Sequence, residues 1–299
     1  MRLVLYPTIS LFNGTHVDLK QKKNRSGLKT PARKALPRYK TPPVNEVAMG
    51  VFFNTLPALK IIPHLGALWQ KFRNDYPRAE HAIPIELKGN IEIDTVTGMP
   101  LPRVWLIDDT ESRLLQVQSN FFCFNWRRHQ NENAVYPHYD AIAKEFRSNL
   151  AIFQQFLSEM GFGNLEPTEL ELTYINHIPQ GSGWETIDEV SKVVTDLCWN
   201  AAAPRFLPKP SNLAWHAAFS LPDRAGRLRI KLNEAKRKVD AHPLIVLELS
   251  AKGIGEDNSI ESIWDWYSIA HEWIVRGFTD LTTEEMQFSH WGRNDVARS

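Results

Sequence analysis

Two long segments with apolar residues at every third or fourth position constrain the fold of this chain most. The first runs from Pro137 to Gly161 and the second from about Ser259 to Phe278. This spacing predicts amphipathic helices, each with one apolar stripe, and the first would be roughly 36 Å long at 1.5 Å per residue. Because such a stripe must be buried against another layer, we expect each helix to lie across a sheet.

Strand patterns surround the first of these helices. Alternating or continuous apolar runs predict strands, and a shorter periodic run after the first strand predicts another helix. The strands are predicted at 44–53, 104–107, 113–128 and 168–175, and the shorter helix at 64–74. Residues 77–100 read as irregular, with at most one further strand. The order β-α-β-β-α-β is that of a ferredoxin-like unit.

The second half follows a simpler pattern. Three strand-like runs at 213–221, 227–232 and 244–250 are separated by short breaks and predict an antiparallel meander, which the second long helix covers. A capping box, Thr282 with Glu285, predicts a short last helix. The fold class is therefore α+β, with antiparallel sheets each covered by a long helix. One continuous curved sheet and two packed half-domains, 44–180 and 181–299, are both compatible with the pattern.

Residues 1–43 form a basic arm with a different composition. Leu19 to Asn45 contains no acidic residue, whereas Lys22, Lys23 and Arg25 belong to a dense run of cations interrupted by prolines. Such a segment is typically flexible and can bind polyanions. The alternatives are a solvated tail and an upstream stretch from a misassigned start codon.

The composition argues for a cytoplasmic protein. The chain has two cysteines, fewer than a secreted disulfide scaffold would carry. We expect neither a signal peptide nor a membrane partner, because the apolar runs are shorter than the roughly 20 residues of a membrane span. The 10 tryptophans fit either an aromatic core or a partner-binding surface.

The sequence carries no motif for a cofactor, a metal or a nucleophile. The histidines are scattered, the cysteines are far apart, and the short glycine pairs lack the remainder of a phosphate-binding loop. Cys123 lies within an aromatic strand pattern and reads as a core residue. We therefore expect no cofactor, and whether the protein is an enzyme remains open.

Two strand patterns supply candidate binding residues. Phe122, Phe124 and Trp126 share one face and precede Arg127 and Arg128, which in outline fits an RNA-stacking platform. A core strand under a helix is the alternative interpretation.

The second pattern places Glu169, Glu171, Thr173 and His177 on one face of a strand, with neighbouring carboxylates about 7 Å apart. A polar cluster and a solvated sheet face are both compatible with it. An assembled enzyme site would be sought around Glu171, His177 and Arg127.

Several runs together resemble a sporadically distributed bacterial family of uncharacterised proteins. They are PVNEV at 43–47, FNWRR at 124–128, YPHY at 136–139, ELELTYINHI at 169–178, FTDLTTE at 278–284 and WGR at 291–293. The resemblance covers Pro43 to Arg293 and leaves the basic arm outside. It implies a bacterial cytoplasmic origin and carriage on mobile elements. It assigns no activity to any residue.

Three hypotheses follow. The first is a non-enzymatic binding or regulatory protein of a bacterial operon, for example in toxin–antitoxin or phage-defence systems, whose partner is another protein or a second copy of itself. The second is a nucleic-acid-binding protein that uses the basic arm with Arg127 and Arg128. The third is an enzyme whose site is assembled from distant residues.

Overall fold

The computed structural model describes residues 35–85, 93, 98–128, 134–199 and 206–294. Nine strands form one sheet in this part of the chain. They are β1 (Val44–Phe53), β2 (Arg78–Ala82), β3 (Arg103–Ile107), β4 (Arg113–Gln118), β5 (Phe121–Arg127), β6 (Pro167–Pro179), β7 (Ala214–Ser220), β8 (Gly226–Lys236) and β9 (Pro243–Gly253).

All neighbouring strands in this sheet are antiparallel. The order is β2-β3-β4-β5-β1-β6-β9-β8-β7, so that β1 lies at the centre and β2 and β7 form the two edges. The ladder between β6 and β9 joins the two halves of the chain through ten residue pairs. The described structure is therefore one continuous sheet, which is one of the two arrangements compatible with the sequence pattern.

Three α-helices cover a single face of the sheet. They are α1 (Ile62–Phe72), α2 (His138–Glu159) and α3 (Ile260–Leu281). Helix α2 packs on β5 and β1, and α3 packs on β6, β9 and β8. One hydrophobic cluster runs beneath all three helices, from Val44 to Trp291. The prediction of two long helices that bury an apolar stripe on a sheet is confirmed.

Aromatic rings fill the layer between α2 and the sheet. The ring of Phe122 on β5 stacks on Phe153 of α2, with centroids 4.7 Å apart and planes 13° apart. Phe146 contacts Tyr267 of α3 edge-on at 5.6 Å. Tyr267 in turn donates a hydrogen bond to the carbonyl of Gly50 on β1 at 2.8 Å. These contacts fix both long helices to the central strand.

The first half differs from the predicted order in one segment. The segment predicted as one strand, 113–128, is two strands, β4 and β5, that reverse at Ser119 and Asn120 and pair with each other. The one further strand that the sequence allowed within 77–100 forms as the edge strand β2, which pairs with β3. Four strands instead of two therefore lie between α1 and α2, and the sheet is longer than a four-stranded ferredoxin-like layout. The meander β7-β8-β9 of the second half is confirmed.

The predicted capping box near residue 282 does not form. The Thr282 hydroxyl donates to the carbonyl of Phe278 and ends α3 instead of starting a new helix. Thr283 instead accepts from the amide of Met286, and the predicted short last helix follows it as a π-helix, Met286–His290. Ser259 caps α3 by accepting from the Ser262 amide.

The end of the predicted arm is attached to the fold. Tyr39 forms a bridge with Arg293, its hydroxyl hydrogen-bonds Thr279 at 2.8 Å, and its ring contacts Phe278 edge-on. Residues 1–34 of the predicted arm lie outside the described residues.

Candidate interaction surface

No helix of the described residues covers the opposite face of the sheet, and we call this the open face. Side chains alternate along each strand, so every second residue points to this face. On β8 these residues are Arg227, Arg229 and Lys231, which we call the basic row. Their neighbours Leu228, Ile230 and Leu232 point towards the helices and are buried. One strand thus separates an apolar helix side from a cationic open side.

Two residues of the basic row are available for a ligand. Arg227 and Arg229 are exposed, and neither has an ion pair among the described residues. Lys231 is bound by Glu248 on β9, with Nζ to Oε1 at 3.2 Å. A guanidinium presents fixed donors that match phosphate and carboxylate groups. The basic row therefore offers two exposed arginines about 7 Å apart along one strand, and the charge of Arg229 also acts on Glu169.

Acidic residues on β6 occupy the adjacent part of the open face. Lys252 on β9 bridges Glu171 at 3.0 Å and Glu169 at 3.9 Å. Burial raises the pKa of Glu169. Thr173 and Ser250 share a hydrogen bond at 2.7 Å across the same two strands. These contacts join Glu169 and Glu171 to Lys252 and Thr173 to Ser250, so a polar cluster, one of the two interpretations compatible with the sequence, forms on this part of the strand without His177.

A chain of side-chain hydrogen bonds crosses β4, β5 and β1 on the open face. Gln116 donates to the Asn125 side-chain oxygen at 2.7 Å, and Asn125 donates to Glu46 at 2.6 Å. Arg103 and the indole of Trp105 both donate to Gln116. Burial raises the pKa of Glu46, although the Asn125 bond opposes this effect. Such a network is rigid and holds a carboxyl group in a partly desolvated position.

Cys123 belongs to this network as a buried thiol. Its Sγ lies 3.3 Å from the Asn125 side-chain oxygen, to which it donates. Burial raises the pKa of the thiol well above its ordinary value, and the nearby Glu171 and Glu46 carboxylates add to the effect. Because the thiolate is the nucleophile, this cysteine is chemically inert in the folded state.

The aromatic residues proposed as a stacking platform belong to the core. Phe122, Phe124 and Trp126 point towards the helices and are buried. Trp126 contacts Tyr136 with ring centroids 5.4 Å apart. The RNA-platform interpretation of this strand is wrong, because α2 and the segment before it cover these rings. The core interpretation is confirmed.

The remaining predicted residues lie in separate networks. Arg127 is on the open face, where its Nε donates to the Glu111 carbonyl and its guanidinium lies 5.9 Å from the Trp105 ring. Glu171 pairs with Lys252. His177 is six residues further along β6, or roughly 20 Å.

His177 is held in a neutral state. Burial lowers its pKa to about 4, and the positive charge of Arg128 contributes to the shift. Arg128 follows β5, and its backbone amide donates to the Asn45 carbonyl. Lys22, Lys23 and Arg25 lie outside the described residues. The structure therefore does not assemble Glu171, His177 and Arg127 into one pocket.

The two edges of the sheet differ in chemistry. The β2 edge carries Arg78 and Glu80, which form an ion pair at 3.2 Å, and Pro77 and Pro84 flank the strand. Charges and prolines are the usual protection of an edge against pairing with another chain. The seven residues of β7, AWHAAFS, contain no Lys, Arg, Asp, Glu or Pro. No described element pairs with the outer side of this strand.

The outward backbone groups of β7 follow from its pairing with β8. The Leu221 amide donates to Gly226, and the Glu234 amide donates to Leu213. Because hydrogen-bonded pairs alternate in an antiparallel ladder, residues 215, 217 and 219 bond to β8. Residues 214, 216, 218 and 220 therefore direct their N–H and C=O groups away from the sheet. The exposed β7 edge presents four donors and four acceptors.

The sequence signals for these two surfaces were present but not distinctive. The alternation R-L-R-I-K predicted a strand at 227–232. The sequence did not show which of its two sides faces solvent, and the structure shows that the apolar side is buried and the arginines are exposed. An edge strand cannot be recognised from its own residues, because its position depends on which strands pair.

Among the described residues no group of His, Cys, Asp or Glu is arranged to hold a metal ion. Within the same residues no helix is long and apolar enough to cross a membrane. Comparison with protein-family models, with curated proteins and with solved structures finds no match.

Proposed function

We propose that this chain is a non-enzymatic binding protein that acts through protein–protein contacts, and that β7 is the strand on which its partner docks. The observation that carries the proposal is the uncharged outer edge of β7. An extended strand of a partner can continue the sheet there, with backbone hydrogen bonds giving affinity and alternate side chains giving specificity.

The side chains of β7 fit this role on both faces. His216 and Ala218 point to the open face and are exposed, so that they impose little steric hindrance. Phe219 points to the helix side and is 44% exposed, and Trp215 is half-buried on the same side. A docked strand would cover both aromatic rings. Aromatic residues supply a large part of the binding energy at protein interfaces.

A proline at position 218 tests this proposal. The Ala218 amide points outward, so Ala218→Pro removes a donor that the fold itself does not use. Ala218→Ser, which keeps the donor, is the matched control. Tagged protein from its native host should retain a stoichiometric partner with Ala218→Ser and lose it with Ala218→Pro. The complex should form again from purified components. Equal retention by both variants would exclude β7 as the docking strand.

Binding of a polyanion to the basic row is the second candidate, and the exposed Arg227 and Arg229 favour it. If three phosphates are neutralised on duplex DNA, affinity should fall about 40-fold between 50 and 200 mM salt. The double variant Arg227→Gln/Arg229→Gln should make the salt slope shallower by about 1.8. Arg78→Gln, at the opposite end of the sheet, should leave it unchanged. An unaltered slope in the double variant would remove the basic row from consideration and leave the arm with Lys22, Lys23 and Arg25.

The finer assignments are part of the same proposal. Membership in the sporadically distributed bacterial family would place the chain in the cytoplasm and in an operon, for example one for toxin–antitoxin control or phage defence. The neighbour order β4-β5-β1-β6 with α1 and α2 supports a ferredoxin-like unit within the larger sheet. The neighbouring genes test the operon assignment, since a toxin or defence gene should adjoin this one.

A further inference from the structure

We infer that the partner of the β7 edge is a second copy of this chain, which pairs its own β7 antiparallel about a two-fold axis at Ala217. The inference rests on the proposed docking role of β7. It follows from three properties of two β7 strands placed side by side: their outward backbone groups can pair, their opposed side chains fit, and no charges oppose the contact.

The register is set by the outward backbone groups. An antiparallel pair forms hydrogen bonds only where outward-pointing residues of the two strands face each other. With the axis at Ala217, residue 214 faces 220 of the second copy and 216 faces 218. All four outward residues of each strand then find a partner. Every donor and acceptor on the exposed edge is satisfied.

The side chains match in the same register. On the helix side Trp215 faces the partner's Phe219, and this pairing occurs twice because the interface is symmetric. Directly opposed side chains in an antiparallel pair have Cβ atoms about 4.5–5.5 Å apart, and aromatic pairs stabilise this arrangement. On the open face His216 faces the small side chain of the partner's Ala218. No two charged residues are placed in opposition.

Charge does not oppose this pairing. The row of cations nearest the edge is Arg227, Arg229 and Lys231 on β8, one strand inside β7. In the dimer the two β8 strands would be three strand spacings apart, or about 14 Å. This separation exceeds the screening length of about 8 Å at physiological ionic strength. A similar pairing of two β2 edges would bring Arg78 and Glu80 of both copies to the contact itself.

A single cysteine at the axis tests both the partner and the register. In this register Ala217 faces its own copy with Cα atoms about 4.5 Å apart, which is within the range of a disulfide. In a Cys198→Ser background, which removes an exposed thiol, Ala217→Cys should form a covalent dimer under mild oxidation. Ala218→Cys should not form this dimer, because residue 218 of one copy faces residue 216 of the other, and residue 218 of the second copy lies two positions further along the strand. Cross-linking of Ala218→Cys in preference to Ala217→Cys would overturn the register.

The mass in solution gives a second measurement without new cysteines. Light scattering should show a mass near twice 34.4 kDa for the native chain at high concentration. Ala218→Pro should raise the dissociation constant by roughly tenfold or more, because it removes hydrogen bonds at two symmetric positions. Ala218→Ser should leave the constant nearly unchanged.

The outcomes separate this inference from the proposed function. A monomer at all concentrations, without cross-linking of Ala217→Cys, would overturn the second copy as partner. If a different protein still binds through β7 and is lost with Ala218→Pro, the docking role stands with another occupant. If neither occurs, both proposals are wrong.

Discussion

A pair of proline substitutions on β7 tests the geometry on which both proposals depend. Ala217→Pro should destabilise the fold much more than Ala218→Pro, although the two residues are adjacent on an exposed strand. The Ala217 amide points to β8, where its register partner is Ile230. The Ala218 amide points outward.

The expected difference follows from the lost ladder bond. Proline at 217 removes the N–H that donates to β8, and the carbonyl of the buried Ile230 loses its hydrogen-bond donor. The two effects together should lower the free energy of unfolding by about 3 kcal/mol. Proline at 218 removes only a donor to solvent and should cost about 1 kcal/mol or less. The difference is therefore about 2 kcal/mol.

Urea unfolding measures this difference directly. With a slope of about 3 kcal/mol/M, the midpoint of Ala217→Pro should lie about 0.7 M below that of Ala218→Pro. The measurement is made at a protein concentration low enough that the native chain is monomeric, so that lost dimer contacts do not contribute. Equal midpoints, or a lower midpoint for Ala218→Pro, would show that the outward and inward residues were assigned in reverse. The two-fold register at Ala217 would then be wrong.

Three further predictions test the core and the buried titratable groups. Because burial holds the pKa of His177 near 4, only the unfolded chain takes up this proton as the pH falls from 6.5 to 4. The free energy of unfolding should therefore drop over that range, by at most about 3 kcal/mol from this group, and urea titrations at each pH should show a smaller drop in His177→Gln. Phe122→Ala should lower the free energy of unfolding by about 4 kcal/mol, and a loss below about 1 kcal/mol would contradict its position under α2. A thiol reagent should modify Cys198 quickly and Cys123 only after unfolding, so rapid labelling of two thiols in the native state would contradict the burial of Cys123.

The elements that the sequence predicted well are those with strong local patterns. The stripe from Tyr139 to Met160 gave α2 because its period needs no knowledge of distant residues. The same is true of the alternation on β8, where the apolar side is buried and the charged side is not.

The errors have distant causes. The turn at Ser119 and Asn120 lies inside a long β-forming run without Gly or Pro, so its position was not marked. The capping box at Thr282 was read locally, whereas Thr282 is recruited by the end of α3 through Phe278.

The candidate surface was less predictable than the fold, because it depends on strand order. Arg127 and Arg128 are adjacent in sequence, but only Arg127 belongs to β5, where it lies on the open face beside Trp105. The sequence did not single out Arg229 as a binding residue, since ordinary exposed strands also carry charges. Its significance comes from its place on the face that no described helix covers. That property belongs to the assembled sheet.

The central position of β1 has a consequence for how the protein is made. Of the nine described strands, β1 leaves the ribosome first, yet its neighbours β5 and β6 begin only at residues 121 and 167. At about 5–20 residues synthesised per second, β1 has no partner strand for on the order of ten seconds. During that interval it is a target for aggregation and for chaperones that bind nascent chains. Translation speed over the intervening segment should therefore influence how much of the protein reaches its native state.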